Sequence, residues 1–427
     1  MHLVRAIGRW SLAALTINSI IGSGIFGLPS AVAKLVGPYS TLTVLVAGLF
    51  IGVVMACFAE VGSYFSEAGG PYLYARVAFG RLVGIETGWM FWLVRITAPA
   101  ANANLFVSYV GEFWPDATRL VPRLLILLLL IGGLAFINIR DVRAGTQTSN
   151  LFTLAKLLPL AILIAAGLAY VASGHPMVHT MTPTITSKGW AGAILLMLFS
   201  YGGFESAVTP MSEAKNPRRD SAFALFAALG ACILVYGGLQ WMVIHLLDNA
   251  TSSARPLADL ASLLFGRRGG ALVAAAALVS MYGYLSANML AVPRITFALA
   301  EKGDFPSIFA AVHNRFRTPY ISIAVFAAAT FIFAALGSFS WNVTLSAVAR
   351  LFCYGATCAA LIVFRKRPPA EAMFRLHGGL VIATLGVVIC LGLLTQVDLN
   401  QSVILLATLA IAFLNWLLVK NSPDARR

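Results

Sequence analysis

The stretch "IIGSGIFGLPS", residues 20–30, interrupts the first long apolar segment of this 427-residue chain. It carries Gly22, Gly24, Gly27 and Pro29 where a membrane-spanning helix usually has leucine or alanine. Glycine inside a helix costs roughly 1 kcal/mol relative to alanine, and proline about 3 kcal/mol. The stretch therefore predicts a break in the first helix, near the middle of its membrane span.

The composition of the chain predicts an integral membrane protein whose surroundings are the lipid bilayer. Hydrophobic residues make up 59% of the sequence and charged residues only 11%, which is too apolar for a water-soluble globular protein. Apolar runs of roughly 18 or more residues recur along the chain, each long enough to cross a hydrocarbon core about 30 Å thick. The predicted fold class is all-α, with twelve transmembrane helices at residues 10–36, 40–65, 82–111, 122–139, 147–173, 188–211, 221–247, 269–301, 319–337, 341–364, 374–396 and 401–419.

The positive charge of the chain is explained by its orientation in the membrane. A net charge of +14 could indicate nucleic-acid binding, but the lysines and arginines are concentrated in the loops on one side of the predicted spans. By the positive-inside rule that side is cytoplasmic, and both termini lie on it. We therefore predict no nucleic-acid partner.

A second interruption lies in the predicted sixth helix, in the stretch "FSYGGFESAVTP" at residues 199–210. Gly202 and Gly203 come first and Pro210 follows. Helices one and six are the first helices of two successive groups of five, and they enter the membrane from opposite sides because five is odd. This pattern is typical of transporters built from inverted repeats, whose substrate site forms where paired helices unwind. The alternative is that these glycines only allow close helix packing.

The unwound segments predict a site for a small molecule that carries a carboxylate. Unwinding frees backbone N–H and C=O groups that lipid cannot satisfy. The half-helix after Gly24 directs free N–H groups and its positive dipole end to one place, which favours a carboxylate. Leucine at Gly24 is therefore expected to block the ligand rather than disturb the fold. The predicted substrate-binding residues are Ile21, Gly22, Ser23, Gly24, Ile25, Arg95, Phe199, Tyr201, Gly202, Gly203 and Glu205.

Four motifs resemble the amino acid–polyamine–organocation (APC) superfamily of secondary transporters, in particular bacterial amino acid permeases and exchangers. They are "NSIIGSGIFGLPSAVAKLVGP" (18–38), "FSEAGGPYLYARVAFG" (65–80), "YGGFESAVTPMSEAKNPRRD" (201–220) and "RITFALAEKGDFPSIFAAVHNRFRTPY" (294–320). The resemblance implies the leucine-transporter type of fold, with inverted five-helix repeats at residues 1–173 and 174–366 and two peripheral helices at residues 367–427. It also implies an amino acid transporter of a bacterial cell membrane that works by alternating access. Transport would be either an exchange of substrates or coupled to protons.

Lys156, in the predicted fifth helix, indicates independence of sodium. The resemblance implies that sodium-coupled relatives form an ion site between helices five and one. In many sodium-independent members a lysine stands where the ion would sit. We therefore expect Lys156 to substitute for the ion, and the alternative is a lysine that extends to the membrane surface.

Other charged residues lie within the predicted spans. Glu205 follows the second break and could receive a substrate amine, take up a proton or cap freed N–H groups. Arg95 cannot lose its proton, so it needs an anionic partner. Pairing of Arg95 with Glu205 would favour a zwitterionic amino acid; without it, a cationic amino acid or polyamine antiporter is the alternative. Glu60 and Arg294 are predicted to form structural or gating ion pairs.

Other functional classes lack support in the sequence. It contains no HExxH motif, no paired intramembrane aspartates and no acidic metal cluster, so we predict no catalytic residues, no metal and no cofactor. None of the five cysteines forms a CxxC pair, and we expect them to pack in the interior. A channel would be expected to repeat a ring of charges or carbonyls by oligomeric symmetry.

Overall fold

The computed structural model describes residues 8–65, 70–140, 149–178, 185–207 and 217–420. Within these residues the regular structure consists of α-helices and short 3-10 helices. Two predictions fall outside this part of the chain. Pro210 is not described, and of Lys156 only the backbone is described, inside a helix.

The helices of the first part of the chain follow the predicted spans closely. They are α1 (Arg9–Ile20), α2 (Gly24–Val36), α3 (Ser40–Ser63), α4 (Gly70–Phe79), α5 (Arg81–Val110), α6 (Leu120–Arg140) and α7 (Ser149–Ala172). The predicted spans 40–65 and 82–111 correspond to α3 and α5. The sequence does not predict α4, and its 10 residues are too few to cross a membrane.

The second part of the chain is also built of helices. Its helices are α8 (Ser187–Tyr201), α9 (Phe204–Ala207), α10 (Pro217–Leu246), α11 (Pro256–Glu301), α12 (Tyr320–Leu336), α13 (Phe339–Lys366), α14 (Gly379–Leu394) and α15 (Leu399–Val419). The helix α11 is longer than the predicted span 269–301. Its backbone leaves helical geometry at Gly266, where φ is 71°, so a separate helical segment precedes the span.

Several helices are long and apolar enough to cross a membrane. Within the described residues they lie in Gly24–Ser63, Leu120–Arg140, Ala222–Leu246, Pro256–Glu301, Phe339–Lys366 and Leu399–Val419. The outward faces of these and neighbouring helices expose large apolar side chains, such as Leu129 at 74% and Leu336 at 84%. So extensive an apolar surface fits a lipid environment and not water. The prediction of an all-helical integral membrane protein is confirmed.

The first helix is broken where the sequence predicts. The helix α1 ends at Ile20 and α2 begins at Gly24, and the three residues between them belong to neither helix. Ile21 is extended, with φ −69° and ψ 100°. Pro29 does not take part in the break but lies inside α2. The fixed φ of proline fits helical geometry, so it removes one hydrogen bond without unwinding the backbone.

The second break separates α8 from α9. Gly202 is extended, with φ −70° and ψ 158°. Gly203 has a φ of +113°, which residues with a Cβ rarely adopt. A Cβ at Gly203 would also lie 2.2 Å from the carbonyl oxygen of Ser19. Both the backbone angle and the close approach of α1 therefore require glycine at position 203.

The two broken helices pack among the long helices of the bundle. The helix α1 packs against α10, α2 packs against α8, and α13 packs against α5, α8 and α14. The cysteines were expected to pack in this interior. All five belong to the described part of the chain and are buried and free: Cys57, Cys232, Cys353, Cys358 and Cys390.

A cluster of polar contacts connects several helices at the end of the bundle where α4 lies. Asp304, just after α11, pairs with Arg76 of α4 and with Arg81 of α5, the latter at 2.8 Å. Arg81 also donates to the carbonyl of Val419 at the end of α15, at 3.0 Å. Asn415 of α15 donates to the carbonyl of Asp304 at 2.7 Å. The cluster therefore joins α4, α5, α11 and α15.

A second ion pair at the same end involves Glu60 of α3. Its carboxylate lies 2.6 Å from Nη2 of Arg365 on α13, so the ion pair predicted for Glu60 is present. The other residue predicted to form an ion pair is Arg294. Its guanidinium donates instead to the carbonyl of Leu290, one turn earlier on α11.

Candidate functional site

The two helix breaks lie in direct contact. A Cβ on Gly24, the first residue of α2, would lie 2.4 Å from Oγ and 2.9 Å from Cα of Ser200 near the end of α8. At the other break, Gly203 lies against the carbonyl of Ser19 near the end of α1. The start of each half-helix thus meets the end of the other broken helix. Helix starts carry partial positive charge and helix ends partial negative charge, so this arrangement is electrostatically favourable.

Tyr236 of α10 connects the two breaks through its hydroxyl group. The hydroxyl oxygen lies 3.3 Å from the carbonyl oxygen of Ile20 and 3.1 Å from that of Ser200. These carbonyls belong to the last turns of α1 and α8, where a helix leaves its carbonyls without internal partners. A tyrosine hydroxyl has one hydrogen, so it donates to one of the two at a time. Sequence reasoning missed Tyr236, because no local pattern places α10 beside both breaks.

Glu205 is held at the second break by three protein groups. Its Oε2 accepts a hydrogen bond from the backbone N–H of Gly203 at 2.5 Å. Its Oε1 accepts one from the Tyr354 hydroxyl at 3.0 Å and lies 3.3 Å from Nη1 of Arg350. The side chains of Glu205 and Arg350 are only 2% and 7% exposed, so this is a buried ion pair. Of the roles considered for Glu205, these contacts match the cap of a freed N–H group.

Arg350, in the middle of α13, is a residue of the site that sequence reasoning missed. Its guanidinium covers the second break, since a Cβ on Gly202 would lie 1.2 Å from its Nη1. Its Cζ lies 5.9 Å from the centre of the Phe199 ring, within the range of a cation–π contact. A charged side chain inside an apolar span is costly and indicates function. That signal was present in "SAVARLFCYG", residues 346–355.

Arg95 of α5 lies near the same carboxylate, but the ion pair on Glu205 is with another residue. The Cζ of Arg95 lies 4.7 Å from the centre of the Phe91 ring, and its charge interacts with Glu205, Arg350 and Tyr284. The structure pairs Glu205 with Arg350, where the sequence predicted Arg95. The reason is the packing of α13 beside the start of α9. Within the described residues, Glu205 therefore forms its ion pair with Arg350, and Arg95 lies near the same carboxylate.

The residues that the sequence predicts to bind substrate differ in how closely other atoms surround them. Gly22 borders open space, because a Cβ there would meet one atom of the described residues within 4 Å, at 3.9 Å. Tyr201 is fully buried, and its hydroxyl donates to the Val44 carbonyl of α3 at 3.0 Å. It therefore packs between helices instead of facing a ligand. Ile21 and Ile25 are buried as well, at 1% and 3% exposure.

Gly24 is a packing position. The prediction that leucine there would block a ligand without disturbing the fold is wrong, because even a Cβ would overlap with Ser200. The helical hydrogen bonds of α2 begin at the Ser23 carbonyl, which accepts from the N–H groups of Phe26 at 3.1 Å and Gly27 at 3.2 Å. The N–H groups of Gly24 and Ile25 come before that point, where a helix leaves its N–H groups without partners inside the helix.

Comparison with known proteins assigns the chain to a family. Residues 7–417 match the family model described as "Amino acid permease". The chain belongs to the amino acid permease family. The permease is therefore an amino acid transporter of a membrane and not an enzyme, and its resemblance to the APC superfamily is confirmed.

The relatives of this permease include exchangers and antiporters. The serine/threonine exchanger SteT of Bacillus subtilis (strain 168) is 29% identical over 388 residues, covering 86% of this chain and 85% of that protein. The arginine/agmatine antiporter of Chlamydia abortus is 28% identical over 396 residues, covering 84% and 78%. The human Asc-type amino acid transporter 1 is 27% identical over 388 residues, covering 86% and 73%.

Proposed function

We propose that this permease is a sodium-independent exchanger that binds an amino acid where its two helix breaks meet. The observation that carries the proposal is the contact of Gly24 with Ser200, which brings the start of α2 beside the second break. The free N–H groups and positive dipole end of α2 favour the carboxylate of an amino acid. The carbonyl groups at the ends of α1 and α8 favour its amine.

Exchange is favoured over proton coupling by the surroundings of Glu205. Two of the relatives are an exchanger and an antiporter. If Glu205 were the coupling group of a proton-coupled mechanism, its carboxyl group would have to take up and release a proton. Glu205 is instead bonded by Gly203, Tyr354 and Arg350, and each of these contacts favours the charged carboxylate over the protonated one. The same contacts count against Glu205 as a site for a cationic amino acid or polyamine.

Sodium independence rests on Lys156. It falls within α7, which corresponds to the helix that helps form an ion site in sodium-coupled relatives. We infer that its ammonium group stands where the ion would sit and neutralises carbonyl groups of the first break. Transport would then need no sodium gradient.

We further infer twelve membrane crossings and an inverted repeat. The helices α1 and α2 together form one crossing, and α8 and α9 together form another. The other ten crossings are α3, α5, α6, α7, α10, the part of α11 after Gly266, α12, α13, α14 and α15. In this order each broken helix is the first of a group of five crossings, and the two groups are residues 1–173 and 174–366. Residues 367–427 form the two peripheral helices. The excess of lysine and arginine in the loops on the α4 side assigns that side, and both termini, to the cytoplasm. Substrate then reaches the breaks by alternating access.

The test is uptake of labelled amino acids by proteoliposomes, with and without unlabelled amino acid inside. Exchange predicts rapid uptake only when the inside holds substrate, so equal uptake by empty vesicles would contradict it. Gly22→Leu adds bulk in the open space beside the first break and is expected to lose uptake at unchanged thermal stability. The matched control is Gly133→Leu on α6, where a Cβ meets no described atom within 4 Å. Normal uptake by Gly22→Leu would contradict the site.

A further inference from the structure

Asn102, in the second half of α5, is a buried amide that the described residues leave without a hydrogen bond. The residue is 0% exposed, and within the described residues neither its Nδ2 nor its Oδ1 meets a partner. Asn138 on α6 and Asn288 on α11 are also buried, but each donates its Nδ2 to the carbonyl four residues earlier, at 2.9 Å. Buried polar groups are almost always bonded, because an unmet one costs its desolvation energy. The amide of Asn102 is therefore free to bond a ligand.

The position of Asn102 on α5 directs it toward the two helix breaks. It lies seven residues after Arg95 and seven before Tyr109, and because seven residues make about two helical turns, the three share one face of the helix. The Tyr109 hydroxyl donates to the carbonyl of Phe26 in α2 at 2.8 Å. The charge of Arg95 acts on Glu205 at the second break. Asn102 lies between these two contacts.

The depth of Asn102 in the bundle matches that of the first break. A Cβ on Gly27 of α2 would lie 2.8 Å from Cδ1 of Leu105, so these two residues are at the same level. The helices α2 and α5 belong to the first and third crossings and therefore run in the same direction. One turn back along each helix leads from Leu105 to Asn102 and from Gly27 to Gly24. Asn102 is therefore level with the start of α2.

A second polar group without a partner lies on α13. The Oγ of Ser346 is buried and meets no hydrogen-bond partner within the described residues, whereas Thr357 on the same helix donates to the carbonyl four residues earlier, at 2.9 Å. Ser346 lies seven residues after Phe339, whose ring contacts α2 at Gly27. It lies four residues before Arg350, whose guanidinium covers the second break. These spacings place Ser346 on the face of α13 that borders both breaks.

We propose that the transported amino acid has an uncharged polar side chain, a hydroxyl or a carboxamide, which Asn102 and Ser346 bind. This inference rests on the proposed function, because it places the substrate at the same two breaks. The amide of Asn102 both donates and accepts, and so do a hydroxyl group and a second amide. A carboxylate only accepts and an ammonium group only donates, so a charged side chain meets one of the two amide atoms. An apolar side chain meets neither.

Threonine and valine test this selectivity with almost no change in shape, since valine has a methyl group in place of the hydroxyl. Asparagine and leucine form a second pair of similar shape. Proteoliposomes loaded with one of these amino acids are given the same amino acid in labelled form, below saturation. We expect the polar member of each pair to exchange about tenfold faster or more, since a site that bonds a polar group rejects an analogue without it. Thermal stabilisation of the purified permease by each amino acid gives a measurement that does not depend on transport.

Asn102→Leu keeps the approximate shape of the side chain and removes both polar atoms. We expect threonine exchange to fall about tenfold, to no more than the rate of valine. The empty variant should be at least as stable to heat as the wild type, because an unbonded buried amide is removed. The control is Asn138→Leu, at an asparagine bonded within its own helix, and it should keep the preference for threonine. Ser346→Ala should reduce that preference by a smaller factor.

The possible outcomes separate this inference from the proposed function. Exchange of valine and leucine as fast as threonine and asparagine would overturn the polar substrate and leave the exchanger standing, and so would faster exchange of glutamate or arginine. Exchange of none of the common amino acids would overturn the proposed function itself. A threonine preference that survives Asn102→Leu would overturn the role given to Asn102. A loss of thermal stability in Asn102→Leu would show that the amide is bonded within the protein, and would overturn that role as well.

Discussion

Gly203→Ala is expected to destabilise this permease strongly, because position 203 has no room for a side chain. The added carbon would lie 2.2 Å from the carbonyl oxygen of Ser19, whereas carbon and oxygen in contact are usually about 3.3–3.6 Å apart. The broken helices would have to separate by about 1 Å, and overpacking of this kind costs about 1–3 kcal/mol. The φ of +113° adds about 1–3 kcal/mol of backbone strain. The expected loss in the free energy of unfolding is the sum, about 2–6 kcal/mol.

The measurement is unfolding of the purified protein in one detergent, followed by tryptophan fluorescence as denaturant is added. Gly133→Ala on α6 is the matched control, since a Cβ there meets no atom of the described residues within 4 Å. Alanine is the better helix former by roughly 1 kcal/mol, so the control should be at least as stable as the wild type. If Gly203→Ala unfolds within about 0.5 kcal/mol of the wild type, the contact between the second break and α1 is refuted.

Three further predictions concern other residues of the site. Tyr236→Phe removes the hydroxyl shared by the two breaks and should slow exchange at a cost of about 1 kcal/mol in stability; Tyr201→Phe should lose similar stability but exchange normally. Glu205→Gln leaves Arg350 buried without its counter-ion and should cost about 3–5 kcal/mol on unfolding. Adding Arg350→Met should restore part of that loss, so strictly additive losses would argue against the ion pair. Uptake should be equal in sodium and choline buffers, and a saturable sodium requirement would refute the role of Lys156.

The two helix breaks lie where the local sequence weakens a helix. Glycine lowers the stability of a helix interior, so Gly22 and Gly202 mark places where a break can form. A glycine pair alone does not cause one, because Gly132 and Gly133 lie inside α6 and Gly237 and Gly238 lie inside α10. The approximate ends of the long helices could also be predicted, because the length of an apolar run is read directly from the sequence. Pro29 shows where such reasoning fails, since a proline with a compatible φ stays inside α2.

The partners of the charged residues do not follow from the sequence. The cation that meets Glu205 depends on how α5 and α13 are rotated about their axes beside α9. Helices that are apolar on all sides contain little information about that rotation. The cost of burying a charge in a membrane marks both Arg95 and Arg350 as candidates. Only the packing shows that Arg350 is the one in contact.

The overlap between a Cβ at Gly202 and the guanidinium of Arg350 restricts how this permease can evolve. The overlapping atoms are the far end of the Arg350 side chain, so a larger residue at position 202 requires the guanidinium to leave its place over the second break. Substitutions at the two positions should therefore be coupled, and sequences that replace Gly202 should often replace Arg350 as well.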